Sequence, residues 1–286
     1  MGPMAYVRWD ERPRLTRPVL IAAFEGWNDA AEAATTAARY LRDRWGARPF
    51  ASVDPEEFYD FSSTRPEVRL EGLSRRIIWP ANELSSTTSL TGPGRDVVVL
   101  IGSEPQLKWR TFCAELVTVA VELDVELMVT LGALLADVAH TRPVKITGSA
   151  VDPALVKKLG LRRSQYEGPT GIVGVLHDAL AKADVPSASL WAAVPHYVAA
   201  TPSPKAALAL VERTARLINV PVVTADLAQL AADYERQVSE VVAADEDVSA
   251  YVARLEENAD NEGLELTSGE DLAAELQRFL REQGDS

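Results

Sequence analysis

Cysteine occurs once in 286 residues, as Cys113, so the chain can form no internal disulfide and no cysteine-rich metal cluster. A lone thiol suits a reducing compartment, and the cytoplasm is the expected location. Histidine is nearly as scarce. His140, His177 and His196 make no His-x-x-x-His pair and no carboxylate cluster at ligand spacing. Neither a metal nor a cofactor is therefore expected. No apolar run approaches the roughly 18 residues a membrane span needs. The start of the chain is charged and broken by prolines, unlike a secretory signal. Basic charge is also in deficit: 29 Lys and Arg face 42 Asp and Glu, a net of −13. Phosphate-rich surfaces would repel such a chain, so neither nucleic acid nor an anionic membrane is an expected partner.

The deficit is local. Residues 1–223 carry 25 basic and 25 acidic side chains, whereas residues 224–286 carry 4 basic and 17 acidic ones. Two regions follow: a neutral body, 1–223, and an acidic extension, 224–286. Within the body, short apolar runs alternate with helical patterns. Val19 to Phe24, Ile77 to Trp79, Asp96 to Ile101, Glu126 to Leu131, Val144 to Thr147 and Ala188 to Val194 read as strands. Helices are expected over Ala30 to Leu41 (capped by Asn28), Trp109 to Leu123, Pro153 to Leu159, Gly171 to Ala183 and Pro204 to Ile218. This alternation predicts an α/β fold, a mostly parallel sheet flanked by helices.

The extension has neither proline nor glycine from Thr224 to Glu257. Leu227, Ala231, Tyr234, Val238, Val241, Val248, Val252 and Leu255 recur at heptad spacing, interrupted only at Asp245. One long helix is expected. Its apolar seam must meet a neighbouring subunit, a partner or the chain's own body. A last amphipathic helix is expected from Ser268, through Leu272, Leu276, Phe279 and Leu280.

Polar turns after the predicted strands define a candidate crevice, because ligands of open parallel sheets bind beyond the strand C-termini. It comprises Glu25, Gly26, Trp27, Asn28 and Asp29, then Gly102 and Glu104, then Gly132, then Gly168, Thr170 and Gly171, with His196 beyond the last strand. Glycine and asparagine also serve ordinary strand-to-helix turns, so these residues read equally as structural. Proximity of Glu25, Asp29 and Glu104 would raise their pKa values; equally, Asp29 and Glu32 favour the start of the following helix electrostatically and need no further role. Gly168 to Gly174 lacks the Lys-Ser/Thr of a phosphate loop and the spacing of a dinucleotide fingerprint. No serine sits in a Gly-x-Ser-x-Gly elbow.

Five segments occur in register: Phe24-Glu-Gly-Trp-Asn-Asp-Ala30, Ile101-Gly-Ser-Glu-Pro105, Leu131-Gly-Ala133 with His140-Thr-Arg-Pro143, Tyr166-Glu-Gly-Pro-Thr-Gly-Ile172, and Val194-Pro-His-Tyr197 with Pro202-Ser-Pro-Lys205. Together they resemble the proteasome assembly chaperone 2 (PAC2) family, in its actinobacterial branch. The resemblance implies a phosphorylase/hydrolase-like α/β fold, a homo-oligomer (taken as a trimer), and a chaperone-like role with proteasome α or β subunits as partners. Archaeal relatives dock through a C-terminal hydrophobic-Tyr-X ending, whereas the sequence here closes on Arg281-Glu-Gln-Gly-Asp-Ser286. Some relatives carry ligase labels, which keeps open an alternative: a small-molecule hydrolase or an ATP-dependent carboxylate–amine ligase working in the crevice.

Overall fold

The computed structural model describes residues 6–72, 74–88, 95–163 and 166–262. In chain order the strands and helices are β1 (Val7–Trp9), β2 (Val19–Glu25), α1 (Ala33–Arg44), β3 (Arg48–Val53), β4 (Glu67–Glu71) and β5 (Ser74–Ile78). There follow β6 (Asn82–Thr87), β7 (Val97–Ser103), α2 (Trp109–Glu122), β8 (Leu127–Ala136), β9 (Ile146–Ala150) and α3 (Pro153–Leu159). The chain continues through β10 (Arg162–Arg163), α4 (Ile172–Lys182), β11 (Ser187–Pro195), α5 (Pro204–Ile218), α6 (Ala225–Ala243) and α7 (Glu246–Glu262).

Nine strands form one sheet in the order β1-β3-β6-β7-β2-β8-β11-β9-β10. Its centre, β7-β2-β8-β11, is parallel, as the alternation of apolar runs with helices predicts. Val19 to Phe24 and Val97 to Leu100 are buried on both faces, which explains why they read as continuous apolar runs. The wings are antiparallel except at the last edge, where the short β10 runs parallel to β9. β1, β3 and β6 continue the sheet beyond β7, and β9 lies antiparallel to β11. Of the wings, the sequence reading reached only β9.

Each face of the sheet carries its own apolar core. One packs Ala34, Ala37 and Leu41 of α1 and Leu210 and Val211 of α5 on the sheet. The other packs Phe112 and Leu116 of α2 and Leu176 and Leu180 of α4, with Phe50 and Phe58 from the antiparallel wing. The result is a helix–sheet–helix sandwich. Ile77 and Ile78 lie in a strand as expected, β5, but it pairs with β4 in a separate two-stranded hairpin outside the main sheet.

Two sequence expectations about helix starts are corrected. Asn28 does not cap α1. A 3₁₀ turn at Ala30–Glu32 intervenes, and the Asp29 carboxylate accepts from the N–H groups of Ala34 (2.6 Å) and Thr35 (3.2 Å). The long helix of the extension is two helices. Asp245 caps the second, its Oδ1 accepting from Asp247 N (3.0 Å) and Val248 N (3.1 Å). The single charged interruption in the apolar series is thus a helix start. The expected helix from Ser268 lies outside the described residues.

Candidate functional site

The loop after β2 turns at Gly26, whose φ of +116° suits glycine. Beyond it the backbone is tied to two neighbouring strands. Ala133 N donates to Asn28 O (2.8 Å), and Glu104 N donates to Glu25 O (2.8 Å). The Glu104 carboxylate then joins this loop to α4: one oxygen accepts from Asn28 Nδ2 (3.1 Å) and from Ile172 N (2.8 Å). Gly171 is wedged into the junction. A Cβ there would lie 2.8 Å from both Asn28 Oδ1 and Glu104 Oε1, and 2.9 Å from the Trp27 ring. Glu25, Gly26, Trp27, Asn28, Asp29, Glu104 and Gly171 therefore come together as the sequence groups them.

The other candidates spread along the same edge of the sheet. Gly102 abuts Asn82 and the Ala81 carbonyl, and Gly132 abuts the Trp191 ring. Gly168 and Thr170 lie on the loop into α4, shaped by Tyr166 OH donating to Pro169 O (2.6 Å). His196 is not part of this group. It follows β11 and pairs with Asp137 (3.1 Å) while packing edge-on to Tyr251 of α7.

Charge in the crevice is committed internally. Glu25 is held by Arg39 and by Ser103 Oγ (2.9 Å). Behind it, Tyr59 OH donates to Ser103 O (2.6 Å), and Asn82 Nδ2 reaches both Tyr59 OH and Ser103 O. Burial raises the Tyr59 pKa well above that of a free phenol. Burial likewise raises the Asp29 carboxyl, against the pull of its bonds to Thr35 and Ala34. Desolvation, not the proximity of other carboxylates anticipated above, is the cause. The N-termini of α1 and α4 already hold the chain's own carboxylates, Asp29 and Glu104. An incoming phosphate would meet negative charge where an anion site needs free N–H groups. As built, the cluster fastens β2, β7, β8 and α4 together.

A second polar cluster sits beyond the C-termini of β8 and β11, under α6 and α7. His140 is 3% exposed. Its Nδ1 pairs with Tyr197 OH (2.9 Å) and its Nε2 with Ser239 Oγ of α6 (3.0 Å). Ser239 Oγ donates to Glu235 O (2.8 Å), so the imidazole Nε2 carries the proton and Tyr197 donates to Nδ1. Burial, reinforced by the Lys205 charge, lowers the His140 pKa. Lys205 donates to Glu235 (2.5 Å) and to the His140 carbonyl. Arg142 grips Asp260 with two bonds, at 2.8 and 2.7 Å, and lies 3.4 Å from Glu256.

The apolar seam of the extension faces this cluster. Leu227, Ala231, Tyr234, Val238, Val252 and Leu255 are buried and Val248 is half-buried; Tyr197 and Val198 pack with Tyr234, Val238, Val248 and Val252, while Leu227 joins the core of α1 and α5. Val241 departs from the heptad expectation: it is 72% exposed, and Val242 takes the buried position. Against a fixed surface the helix keeps steps of four, Tyr234-Val238-Val242, and the coiled-coil alternation of four and three is lost. Sequence reasoning singled out His140, Tyr197 and Lys205 only as fragments of motifs. It missed Arg39, Tyr59, Asn82, Ser239 and Glu235 as members of either cluster. A polar residue opening a strand, as Asn82 does, is the one local sign available.

Among the described residues no group of three or more His, Cys, Asp or Glu side chains could hold a metal ion. Nor is any described helix long and apolar enough to cross a membrane. The five sequence motifs all contribute to these two clusters, the third of them to both. Comparison with known proteins agrees with that pattern. The PAC2 family model matches residues 23–242. A PAC2 family protein of Streptomyces avermitilis has 46% identity and a TM-score of 0.76, covering 82% of this chain and 99% of its own. A Mycobacterium tuberculosis proteasome-assembly chaperone homologue has 45% identity and a TM-score of 0.74 with the same coverage. A Corynebacterium glutamicum protein of unknown function, 25% identical, superposes with a TM-score of 0.82 over 92% of this chain and 99% of its own. A search of curated proteins finds no match. Motifs, sheet order and near-complete coverage of these actinobacterial structures converge: the chain belongs to the PAC2 family.

Proposed function

We propose that this protein is a non-catalytic assembly factor of the proteasome-assembly-chaperone type, a homo-oligomer that binds core-particle α or β subunits. The observation that carries the reading is the 45% identity to the mycobacterial chaperone homologue along 99% of that chain. The crevice chemistry supports it. Asp29 and one oxygen of Glu104 accept from helix N–H groups, so these carboxylates act in the crevice as structural ties. The trimer implied by the family resemblance is the oligomer we assign.

The test is reconstitution. Purified actinobacterial α and β subunits are mixed with the full-length chain, and capture and the rate of core-particle assembly are read together. Retention of either subunit with faster assembly is the expected result. An unchanged assembly rate with no subunit retained at micromolar concentration overturns the reading.

A further inference from the structure

The hairpin of β4 and β5 leaves an apolar face open. Val68 pairs with Ile77 and Leu70 with Arg75, so these four side chains share one face, and Trp79 follows two residues after Ile77. Val68, Leu70, Ile77 and Trp79 are 56%, 74%, 45% and 47% exposed. An edge-on contact of Phe61 with Trp79 at 4.9 Å fastens the base. A two-stranded hairpin is marginal in water without something on its apolar face. The hairpin is also basic: Arg65, Arg69, Arg75 and Arg76 stand against Glu67 and Glu71. The glutamates match Arg69 (3.6 Å) and Arg76 (3.1 Å). Arg65 and Arg75 have no carboxylate partner among the described residues. A segment that covers this face must be apolar on one side, acidic, and within reach.

Residues 263–286, outside the described part of the chain, have that composition. Leu272, Leu276, Phe279 and Leu280 recur at the spacing of one helical face. They extend over about 12 Å as a helix, against about 17 Å for a five-residue strand. The segment carries six acidic and two basic side chains, and Glu275 falls within one turn of Leu272, Leu276 and Phe279.

The reach is sufficient. α7 ends at Glu262, two residues past Asp260, which Arg142 holds beyond the C-terminus of β8. The hairpin leads into Asn82 at the start of β6, whose Nδ2 donates to Ser103 O at the C-terminus of β7 (3.3 Å). Both segments thus leave from the same edge of the sheet. β6 and β8 are three strand spacings apart in the sheet order, about 14 Å. The chain from Glu262 to Leu272 can span up to about 33 Å, which covers that offset and leaves room for the length of the hairpin.

We propose that residues 272–280 dock as an amphipathic helix on the Val68, Leu70, Ile77 and Trp79 face of the hairpin in the same molecule, with Glu275 beside Arg75. The docked segment keeps this apolar face from water and from other chains. The contact is independent of the proposed function, since no proteasome subunit enters it.

Hydrogen exchange of the full-length protein, read by mass spectrometry at several protein concentrations, tests the contact. The wild type is compared with L276D/F279D, which leaves the hairpin unaltered, and with L70D, which leaves residues 263–286 unaltered. In L276D/F279D the amides of β4 and β5 are expected to exchange about tenfold faster or more, because charge replaces the apolar side chains that hold the face covered. In L70D the amides of residues 272–280 should speed up in the same way. Protection in the wild type should not depend on concentration. Hairpin exchange that is identical in wild type and L276D/F279D overturns the proposal. Protection that grows with concentration also overturns it, because the covering segment then comes from a second copy.

Discussion

At the scale of single residues, Gly171 is where the crevice cluster is least tolerant. Two oxygens and an indole ring already lie within 2.9 Å of the place a Cβ would occupy. None of these groups is a loose surface end, because Asn28 is 1% exposed and Glu104 is fixed by two hydrogen bonds. We therefore expect Gly171→Ala to destabilise the fold by about 1–3 kcal/mol, the usual range for overpacking a tight site. Denaturant midpoints of wild type and variant would measure it. An unchanged midpoint would mean that Trp27 and the Glu104 side chain yield freely. Asp29 shows a related economy: one buried carboxylate satisfies two helix N–H groups and the Thr35 hydroxyl. The sequence marks both positions as turn residues. It offers both Asn28 and Asp29 to the start of the helix and does not say which supplies the hydrogen bonds.

Among the elements, the acidic helices α6 and α7 bury their apolar side against the body of the same chain. Leu227 lies in the same buried core as α1, α5 and the sheet, while Tyr234, Val238, Val242 and Val252 form a satellite cluster with Tyr197 and Val198. Each such side chain is worth about 1.5–3 kcal/mol when fully buried. The ion pairs of Arg142 and Lys205 with α6 and α7 add orientation more than energy. A chain ending at residue 223 should accordingly be several kcal/mol less stable, with exposed apolar surface detectable by dye binding. If that shortened chain kept the full-length Tm and bound no dye, the inward packing would be energetically empty. Leu230 and Val241, 56% and 72% exposed, border this buried side.

For the molecule as a whole, the central strands and the helices on both faces leave few ionisable groups inside, and His177 is the most consequential. Its nitrogens meet Thr130 Oγ1 and Ser187 Oγ, each at 2.8 Å, and burial lowers its pKa from 6.5 to about 4. The unfolded chain therefore binds this proton at a higher pH than the folded chain does. Stability present above about pH 6.5 is then lost as the pH falls from there to about 4, by up to roughly 3 kcal/mol. His140, whose pKa burial also lowers, acts in the same direction. We expect His177→Gln to flatten the decline in Tm between neutral and mildly acidic pH. A variant whose Tm falls as steeply as the wild type would rule His177 out as the source.

Much of this molecule was legible in one dimension. Val19–Glu25, Val97–Ser103, Leu127–Ala136 and Ser187–Pro195 are apolar runs because they are covered on both faces, and a strand buried that way declares itself locally. Pro153 and Pro204 mark the helix starts at α3 and α5 for an equally local reason: proline suits the first helical turn. The antiparallel strands β3 and β6 carry mixed polar patterns, and only their pairing in the sheet identifies them. Tertiary structure alone decided that Asp29 and not Asn28 holds α1, that Val242 and not Val241 turns inward, and that the five motifs contribute to two clusters. The physical reason is common to all three. A residue's neighbours along the chain set its backbone preference, whereas its hydrogen-bond partner and its buried face are supplied by segments tens to hundreds of residues away.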